Sequence, residues 1–94
     1  MLPIEWRDEA SADLLQILNF IAERNEQAAF DLQDRIERAL EHLSEHPYLY
    51  KPSQRRAGTR ELVAHPNYIV FYEVTDKVEI LAVVHARREF PEGN

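Results

Sequence analysis

The spacing of apolar residues changes from helical to strand-like near the middle of the chain. In the first half, apolar residues recur every three or four positions, as on one face of a helix. One stripe consists of Leu14, Ile17, Leu18 and Ile21, and a second consists of Ala29, Leu32, Ile36, Ala39, Leu40 and Leu43. These two stripes predict two amphipathic helices.

Polar residues and a proline mark the expected ends of these helices. Asp8 or Ser11 is the expected N-cap of the first helix, because a short oxygen-bearing side chain there accepts a free backbone N–H. Asn25 interrupts the pattern, as a turn residue or as the N-cap of the second helix. Pro47 sets the latest end of the second helix. The short connection predicts an antiparallel helical hairpin.

The other apolar segments predict β-strands. Ile4 and Trp6 alternate with polar neighbours, as in a short, half-buried strand. Residues 68–74 and 78–85 are rich in β-branched and aromatic side chains, and the short turn between them indicates a hairpin. Residues 60–64 are a further candidate strand. The preceding segment contains two prolines and a glycine and is interpreted as a loop, residues 47–58.

The order β-α-α-β-β-β predicts an α+β fold, with an N-terminal strand, an antiparallel two-helix hairpin and then a small antiparallel sheet. A chain of 94 residues is expected to form a single domain, residues 1–94. It contains no cysteine, which excludes a disulfide, a thiol nucleophile and a cysteine-based zinc site. We expect a cytoplasmic protein without membrane contact, since neither a signal-peptide pattern nor a bilayer-spanning apolar run is present.

Charge is distributed unevenly along the chain. The net charge of −6 argues against broad nucleic-acid binding, because affinity for phosphate comes from Lys and Arg. Residues 8–46 contain ten acids and three bases, whereas residues 47–94 contain six acids and seven bases. The predicted helices are therefore acidic, and most cations lie on the loop and the strands.

Few residues offer the chemistry of a metal or cofactor site. His42 to His46 match the H-x-x-E-H pattern of inverted zinc peptidases. The pair lies in the last helical turn, however, and no third ligand is recognisable, so two ordinary helix-end histidines are expected. The chain has only two glycines and no phosphate-binding loop of the usual kinds. We expect neither a metal nor a cofactor.

One cationic set remains as a candidate site. Arg60 begins a predicted strand, while His85, Arg87 and Arg88 close the last one, and we expect the four to converge at one end of the sheet. Arginine gives phosphate two parallel hydrogen bonds, and histidine titrates near neutral pH. The alternative is that these cations only pair with neighbouring carboxylates, namely Glu61, Glu73 and Glu89.

Several segments together resemble the ParE/RelE superfamily of bacterial toxins. They are Gly58-x-Arg60-Glu61-Leu62, His65-x-x-Tyr68-x-Val70-Phe71-Tyr72-x-Val74, Val78-Glu79-Ile80-Leu81-x-Val83-Val84-His85-x-Arg87-Arg88 and, in the helical half, Ala39-x-x-x-Leu43-x-x-x-Pro47. The resemblance covers nearly the whole chain. It implies the toxin of a type II toxin–antitoxin module, neutralised by a cognate antitoxin of the ParD or RelB kind whose flexible segment wraps the toxin.

The resemblance also implies an antitoxin surface on this chain. A helical hairpin over a small sheet leaves grooves in which a helix or strand of the antitoxin buries apolar surface. We expect the antitoxin to contact the apolar stripes of the two helices at Leu14, Leu18, Ile21, Leu32 and Ile36.

The superfamily has two activities, and the residues of this chain favour one of them. RelE-like members cleave mRNA on the ribosome with a basic and aromatic set. Where those nucleases have an arginine this chain has Ile69, and of their two lysines one falls on Arg60 and the other on Leu62. Arg88 matches an arginine of the set, but the tyrosine of the tail has no counterpart. Apolar side chains cannot stabilise developing phosphate charge.

The resemblance therefore implies ParE-like inhibition of DNA gyrase, without bond-breaking chemistry, with Arg60, His85, Arg87 and Arg88 as the target-binding residues. The acidic helices agree better with a protein target than with a nucleic acid. The alternative is a ribosome-dependent mRNA endonuclease that uses the same four residues, with His85 as general acid or base.

Overall fold

The computed structural model describes residues 1–87. The elements are β1 (Ile4–Trp6), α1 (Asp8–Ala22), α2 (Glu26–Glu45), β2 (Arg60–His65), β3 (Tyr68–Val74) and β4 (Val78–His85). The predicted order β-α-α-β-β-β and the α+β class are confirmed. Within residues 1–87, neither helix has the length and apolar character needed to cross a bilayer.

The four strands form one mixed sheet in the order β1-β4-β3-β2. Strands β2, β3 and β4 are antiparallel neighbours, as expected for consecutive hairpins. Strand β1 pairs with β4 in parallel, with Ile4 opposite Val78. The N-terminal strand is thus an edge of the same sheet, and the helical hairpin is the crossover that makes the parallel pairing possible.

The ends of the helices agree with the sequence in part. Asn25 is the N-cap of α2, since its Oδ1 accepts a hydrogen bond from the Ala28 N–H at 3.0 Å. The prediction for α1 was wrong, because Arg7 occupies the N-cap position and no side chain caps the helix there. The Arg7 N–H donates to the Ile80 carbonyl in the sheet, so β1 continues directly into α1 and Asp8 and Ser11 lie inside the helix.

The main core lies between the helices and one face of the sheet. Its most buried members on α2 are Leu32, Ile36 and Leu43, and those on the sheet are Leu62, Val70, Tyr72, Val78 and Ile80. The opposite face has a smaller cluster of Ile69, Phe71 and Ala82, against which Val84 and Ala86 pack. Both faces of the central strands are therefore buried, which explains why β3 is almost entirely apolar.

Candidate functional site

Arg60 joins the connecting segment to the start of β2. Its Nη1 donates a hydrogen bond to the Tyr50 carbonyl at 2.6 Å, and its guanidinium carbon lies 4.9 Å from the centre of the Tyr48 ring. In the sheet, Arg60 stands opposite Tyr72, near the end of β3. This side chain is half-buried and stabilises the segment that leads from α2 to the sheet.

His85 lies at the other end of the sheet, opposite Tyr68 at the start of β3. The strand partners of Arg60 and His85 are four residues apart in β3, so the two backbones are separated by about 13 Å along the strand. Our expectation that the cations converge at one end was wrong. Strands β2 and β4 both run antiparallel to β3, which places the start of one and the end of the other at opposite ends.

At the His85 end, the sheet carries a row of three rings, and of these only His85 was among the predicted site residues. Tyr68 lies between two histidines, with ring centres 5.8 Å from His65 and 5.3 Å from His85. The Nδ1 atoms accept backbone N–H bonds, His65 from Asn67 at 3.1 Å and His85 from Arg87 at 3.2 Å. In a neutral ring this leaves Nε2 as the protonated nitrogen, so each histidine offers one N–H donor.

The signal for this row was present in the sequence. His65 and Tyr68 flank the tight connection between β2 and β3, and Tyr68 begins the strand that pairs with His85. An antiparallel register counted from the short turn at residues 75–77 brings His85 close to Tyr68. The three rings become neighbours only when the strands pair, so the spacing of residues along the chain does not reveal the row.

A cleft opens beside His85, between α1 and the edge of β4. Asp13, Gln16 and Phe20 from α1 line it together with Tyr68 and His85. On one side, Asp13 Oδ2 accepts a hydrogen bond from the Val83 N–H at 3.1 Å. The cleft therefore combines an aromatic and a polar wall, with the His85 imidazole at its border.

The basic loop before β2 folds over the sheet face that the helices do not cover. Ser53 Oγ donates to Glu61 Oε2 at 2.7 Å and accepts the backbone N–H groups of Arg55 and Arg56, both at 3.0 Å. Arg55 approaches Glu61 at 3.8 Å, and the guanidinium carbon of Arg56 lies 5.3 Å from the Phe71 ring centre. The carboxylate of Glu61 thus pairs with Arg55 of the loop.

The loop reaches β2 through Gly58, whose φ of +81° lies in the left-handed region. A side chain is disfavoured in that conformation, whereas glycine adopts it without steric cost. The following Thr59 is buried, and its hydroxyl donates to the Arg56 carbonyl at 2.8 Å. These contacts attach the loop to the start of β2.

The expected antitoxin contacts divide into two groups. Leu32 and Ile36 are 3% and 1% exposed, so the prediction that they form a contact surface was wrong. Both point into the core because α2 lies directly on the sheet. Leu14, Leu18 and Ile21 on α1 are half-buried and pack at the margin of the core.

A groove runs along the side of α2 that faces α1 and β1. Its apolar lining includes Leu14, Leu15 and Leu18 from α1, Trp6 from β1 and Leu40 from α2. Leu15 is 61% exposed and was not among the predicted residues. Its position in the sequence falls outside the helix stripe, and only the packing of α1 shows that it borders a groove.

The remaining site predictions concern other parts of the chain. Arg88 and Glu89 lie outside the described residues. His42 is in the last turn of α2 and His46 is its C-cap. Within residues 1–87, no three side chains of the metal-binding types are grouped in a way that would hold an ion.

The fold places this chain in the class of small α+β proteins that have a two-helix hairpin on one face of a mixed sheet. It aligns with a solved structure described as the chromosomal ParDE TA system from P. aeruginosa, with a TM-score of 0.76 and 20% identity over 90% of this chain and 96% of the other. Residues 4–90 match the family model of the ParE toxin of type II toxin-antitoxin system, parDE. The chain belongs to this family, which confirms the predicted superfamily.

Two relatives from Caulobacter vibrioides have names from both branches of the superfamily. Toxin ParE1 is 36% identical over 88 residues, which cover 90% of this chain and 90% of the relative. Toxin RelE2 is 34% identical over 89 residues, which cover 94% of this chain and 99% of the relative. The similarity therefore identifies the family but does not distinguish the two targets, for which the residues of the site are the remaining guide.

Proposed function

We propose that this chain is the toxin of a type II toxin–antitoxin module, that it inhibits DNA gyrase without cleaving nucleic acid, and that a cognate antitoxin neutralises it. The separation of the candidate cations carries this proposal. Arg60 and His85 belong to opposite ends of the sheet, and this separation supports a toxin that acts by binding.

The chemistry of RNA cleavage supports the same conclusion. General acid–base catalysis requires its groups within hydrogen-bond reach of the reacting atoms, and charge stabilisation requires donors aimed at the phosphate. Leu62 and Ile69, which replace two cations of the nucleases, are 0% and 4% exposed. Arg60 is already engaged by the Tyr50 carbonyl. These positions serve packing and loop attachment, which suits a toxin that acts by binding.

The end of the sheet that carries His85 is the surface we assign to the target. Arg87 is exposed there, and the row of His65, Tyr68 and His85 offers aromatic surface together with N–H donors. Arg88 follows directly in the sequence and remains a predicted contact. Arg60 is removed from the target surface, because it lies at the other end and supports the connecting segment.

A supercoiling assay with purified gyrase tests the proposal. The toxin is expected to stop supercoiling and to increase the amount of cleaved DNA complex. Replacing both His85 and Arg87 with alanine removes contacts from the assigned surface and is expected to raise the required toxin concentration by at least about ten-fold, a typical loss for interface contacts. Normal supercoiling at saturating wild-type toxin would overturn the proposal.

The matched control for this assay is Arg38→Ala. Arg38 is an exposed cation on α2 whose Nε lies 3.0 Å from Asp34 Oδ2, and it borders neither the row of rings nor the groove. The substitution removes one positive charge from a surface that we do not assign to the target. It is expected to leave gyrase inhibition within about two-fold of wild type, as for a surface pair of low energy.

A second candidate function is cleavage of mRNA on the ribosome, in accordance with the similarity to toxin RelE2. One observation favours it, namely the orientation of His85 by the Arg87 N–H, which leaves Nε2 directed away from that bond. If this function holds, a translation reaction programmed with a defined mRNA yields cleaved message, and His85→Ala abolishes the cleavage. Intact mRNA after addition of saturating toxin excludes it.

A further inference from the structure

The outer edge of β4 is open beside the cleft at His85. Strand β1 pairs with β4 only as far as Ile80, and within residues 1–87 no other strand continues that edge. Helix α1 lies there instead, and residues 83–85 line the strand side of the cleft. A strand edge of this kind presents backbone donors and acceptors that a ligand can bind.

The alternation along β4 determines which backbone groups face the cleft. The Ala86 N–H donates to the Asn67 carbonyl at 2.8 Å, on the side of β3, whereas the Val83 N–H donates to Asp13 at 3.1 Å, on the opposite side. In an antiparallel strand, successive residues direct their N–H and C=O groups to opposite sides. The Val83 carbonyl and the His85 N–H therefore point away from β3, toward the cleft.

Asp13 adds a second acceptor next to these two groups. Its Oδ2 accepts the Val83 N–H, and among residues 1–87 its Oδ1 has no hydrogen-bond partner. From the end of β4 toward its start, the cleft thus offers a donor from His85, an acceptor from Val83 and an acceptor from Asp13. A ligand that satisfies all three presents an acceptor followed by two donors.

Guanine has this order of groups on its Watson–Crick edge, namely the O6 acceptor, the N1–H donor and the N2 amino donor. Adenine has an amino donor where guanine has O6, and a ring acceptor where guanine has N1–H. Uracil and thymine have no amino group to donate to a carboxylate. The hydrogen-bonding pattern of the cleft therefore favours guanine among the bases.

The size and the walls of the cleft suit a single base. Its volume of about 280 Å³ is at the lower limit of the range of about 300–1,000 Å³ usual for small-molecule sites. Phe20 from α1 and Tyr68 from β3 provide aromatic rings, on which a base can stack. Phe20 is 47% exposed, and the guanidinium carbon of Arg24 lies 4.1 Å from the centre of its ring. A cation is thus available beside the cleft for a phosphate.

The charges near the cleft agree with a free nucleotide better than with a nucleic-acid strand. Arg24 adjoins it through Phe20, and Arg87 follows His85, whose Nδ1 accepts the Arg87 N–H at 3.2 Å. Two cations can serve the phosphate of one nucleotide. A strand requires a track of Lys and Arg, which is at odds with a net charge of −6.

We propose that the cleft between α1 and β4 binds a free guanosine mononucleotide. The edge of β4 and Asp13 bind the Watson–Crick edge of the base, Phe20 and Tyr68 stack on its ring, and Arg24 contacts the phosphate. The site goes beyond the proposed function, since it adds a small ligand to a chain with protein partners. It does not depend on which target the toxin has.

Isothermal titration calorimetry of the full chain with guanosine monophosphate (GMP) and its analogues tests the proposal. Inosine monophosphate (IMP) lacks only the amino group that donates to Asp13, and GMP is expected to bind at least about ten-fold more tightly, as for a hydrogen bond to a charged group. Guanosine without phosphate is expected to bind about three-fold more weakly than GMP, as for one exposed ion pair.

Equal affinities for GMP and IMP would overturn the proposal. Equal affinities for GMP and guanosine would also overturn it, because the ligand would then be a nucleoside. Adenosine monophosphate carries the opposite order of donor and acceptor and is expected to bind no more tightly than IMP. Tighter binding of adenosine monophosphate than of GMP would contradict the order of groups that we assign to the cleft.

Asp13→Asn changes the specificity without removing the bond to β4. The amide oxygen can still accept the Val83 N–H, while the amide nitrogen replaces the second acceptor with a donor. This edge matches xanthine, which carries a carbonyl where guanine has its amino group. The variant is expected to bind GMP about ten-fold more weakly and to prefer xanthosine monophosphate. A retained preference for GMP would overturn the role of Asp13.

The matched control is Asp34→Asn, the same substitution on the other helix. Asp34 pairs with Arg38 on the exposed surface of α2 and does not line the cleft. It is expected to change the affinity for GMP by less than about two-fold, since exposed pairs contribute little. Added GMP is also expected to shift the amide NMR signals of Val83 and His85. Unchanged signals at both residues would overturn the location of the site.

A single-stranded oligonucleotide that contains guanine is the competing ligand. If it binds more tightly than GMP, the cleft belongs to a strand and the proposal is overturned. The supercoiling assay on the wild-type chain is independent of these titrations. Normal supercoiling combined with selective binding of GMP would reject the gyrase target and retain the nucleotide site. Inhibited supercoiling without binding of GMP would reject the nucleotide site alone.

Discussion

At the scale of single residues, Tyr72 connects the segment after α2 to the central strand of the sheet. The side chain is fully buried, and its hydroxyl donates a hydrogen bond to the Pro47 carbonyl at 3.2 Å. Its ring meets Tyr50 edge to face, with the ring centres 6.5 Å apart. Burial raises the pKa of the Tyr72 phenol above its ordinary value of 10.0, because the anion would lose its hydration.

We predict that Tyr72→Phe destabilises the protein by about 1 kcal/mol at pH 7, because the bond to Pro47 is lost. The raised pKa adds a pH dependence. The unfolded phenol ionises first, so the contribution of Tyr72 is complete below about pH 10 and decreases as the pH rises further. Urea unfolding at neutral and alkaline pH measures both effects. The difference between wild type and variant is expected to shrink at high pH.

Tyr48→Phe is the control, since Tyr48 is 65% exposed and its ring lies under Arg60. This substitution keeps the ring and is expected to change the free energy of unfolding by less than about 0.5 kcal/mol, as for most surface changes. If wild type and Tyr72→Phe lose stability equally at alkaline pH, the role assigned to the buried phenol is incorrect.

At the scale of elements, α1 is attached to β4 at a place where the sheet has no further strand. Strand β1 pairs with β4 only as far as Ile80. The register then shifts at Leu81, which has no partner in β3. Beyond this bulge the Val83 N–H points away from β3, and Asp13 from α1 accepts it. A helix side chain thus takes the place of a neighbouring strand.

We predict that Asp13→Ala costs about 1–3 kcal/mol of unfolding free energy, because a part-buried N–H loses its acceptor. Asp13→Asn retains an amide oxygen at the same position, so its loss of unfolding free energy is expected to be clearly smaller. Chemical denaturation measures the stability of both variants. Amide exchange at Val83 is expected to be faster in Asp13→Ala than in Asp13→Asn, and equal protection in the two would contradict this role of the carboxylate.

The elements themselves could be predicted from local pattern, whereas their pairing could not. The two stripes predicted both helices. Asn25 was predicted as a turn residue or an N-cap, and the cap was foreseeable because its hydrogen bond reaches only three residues along the chain. The parallel pairing of β1 with β4 joins residues that are more than seventy positions apart, and no local spacing encodes it. The same limit affected the cap of α1, where a bond from Arg7 to the sheet determines the geometry.

The candidate site was less predictable than the fold, for a related reason. Arg60 and His85 were selected by residue type, but their distance depends on strand direction and register. Leu32 and Ile36 were selected by periodicity, which detects a buried face and cannot distinguish a core from an interface. The register counted across the two hairpins places Arg60 and His85 at opposite ends of the sheet.

At the scale of the whole molecule, the two candidate functional surfaces share no lining residue. The apolar groove lies along α2 and is bordered by α1 and β1, whereas the row of His65, Tyr68 and His85 occupies the end of the sheet at the start of β3. Arg60 belongs to neither, since it holds the connecting segment. Substitutions on these surfaces are therefore expected to act independently.

We predict that Arg60→Ala and His85→Ala have separate and additive effects. Arg60→Ala loses the bond to the Tyr50 carbonyl and is expected to cost about 1–2 kcal/mol of stability, with gyrase inhibition little changed in the folded fraction. His85→Ala is expected to weaken inhibition with little loss of stability. Thermal unfolding and supercoiling assays on both single variants and the double variant give the coupling energy.

The free-energy effects of substitutions at residues without shared partners usually add within about 0.5 kcal/mol. A coupling energy well above this value between Arg60 and His85, in either assay, would contradict the separation of the two ends. The comparison is internally controlled, because both side chains belong to strands that pair with β3 and both substitutions truncate to alanine.

The pairing of β1 with β4 also determines when the protein can fold during its synthesis. The ribosome completes the first strand of the sheet, then both helices, long before the strand that pairs with it. Contacts of such large sequence separation slow folding and leave apolar surface exposed in the growing chain. The apolar surface of Trp6 and of the inner side of α1 therefore stays uncovered until residues 78–85 have been synthesised. A protein of this topology completes its sheet only after residues 78–85 have been synthesised.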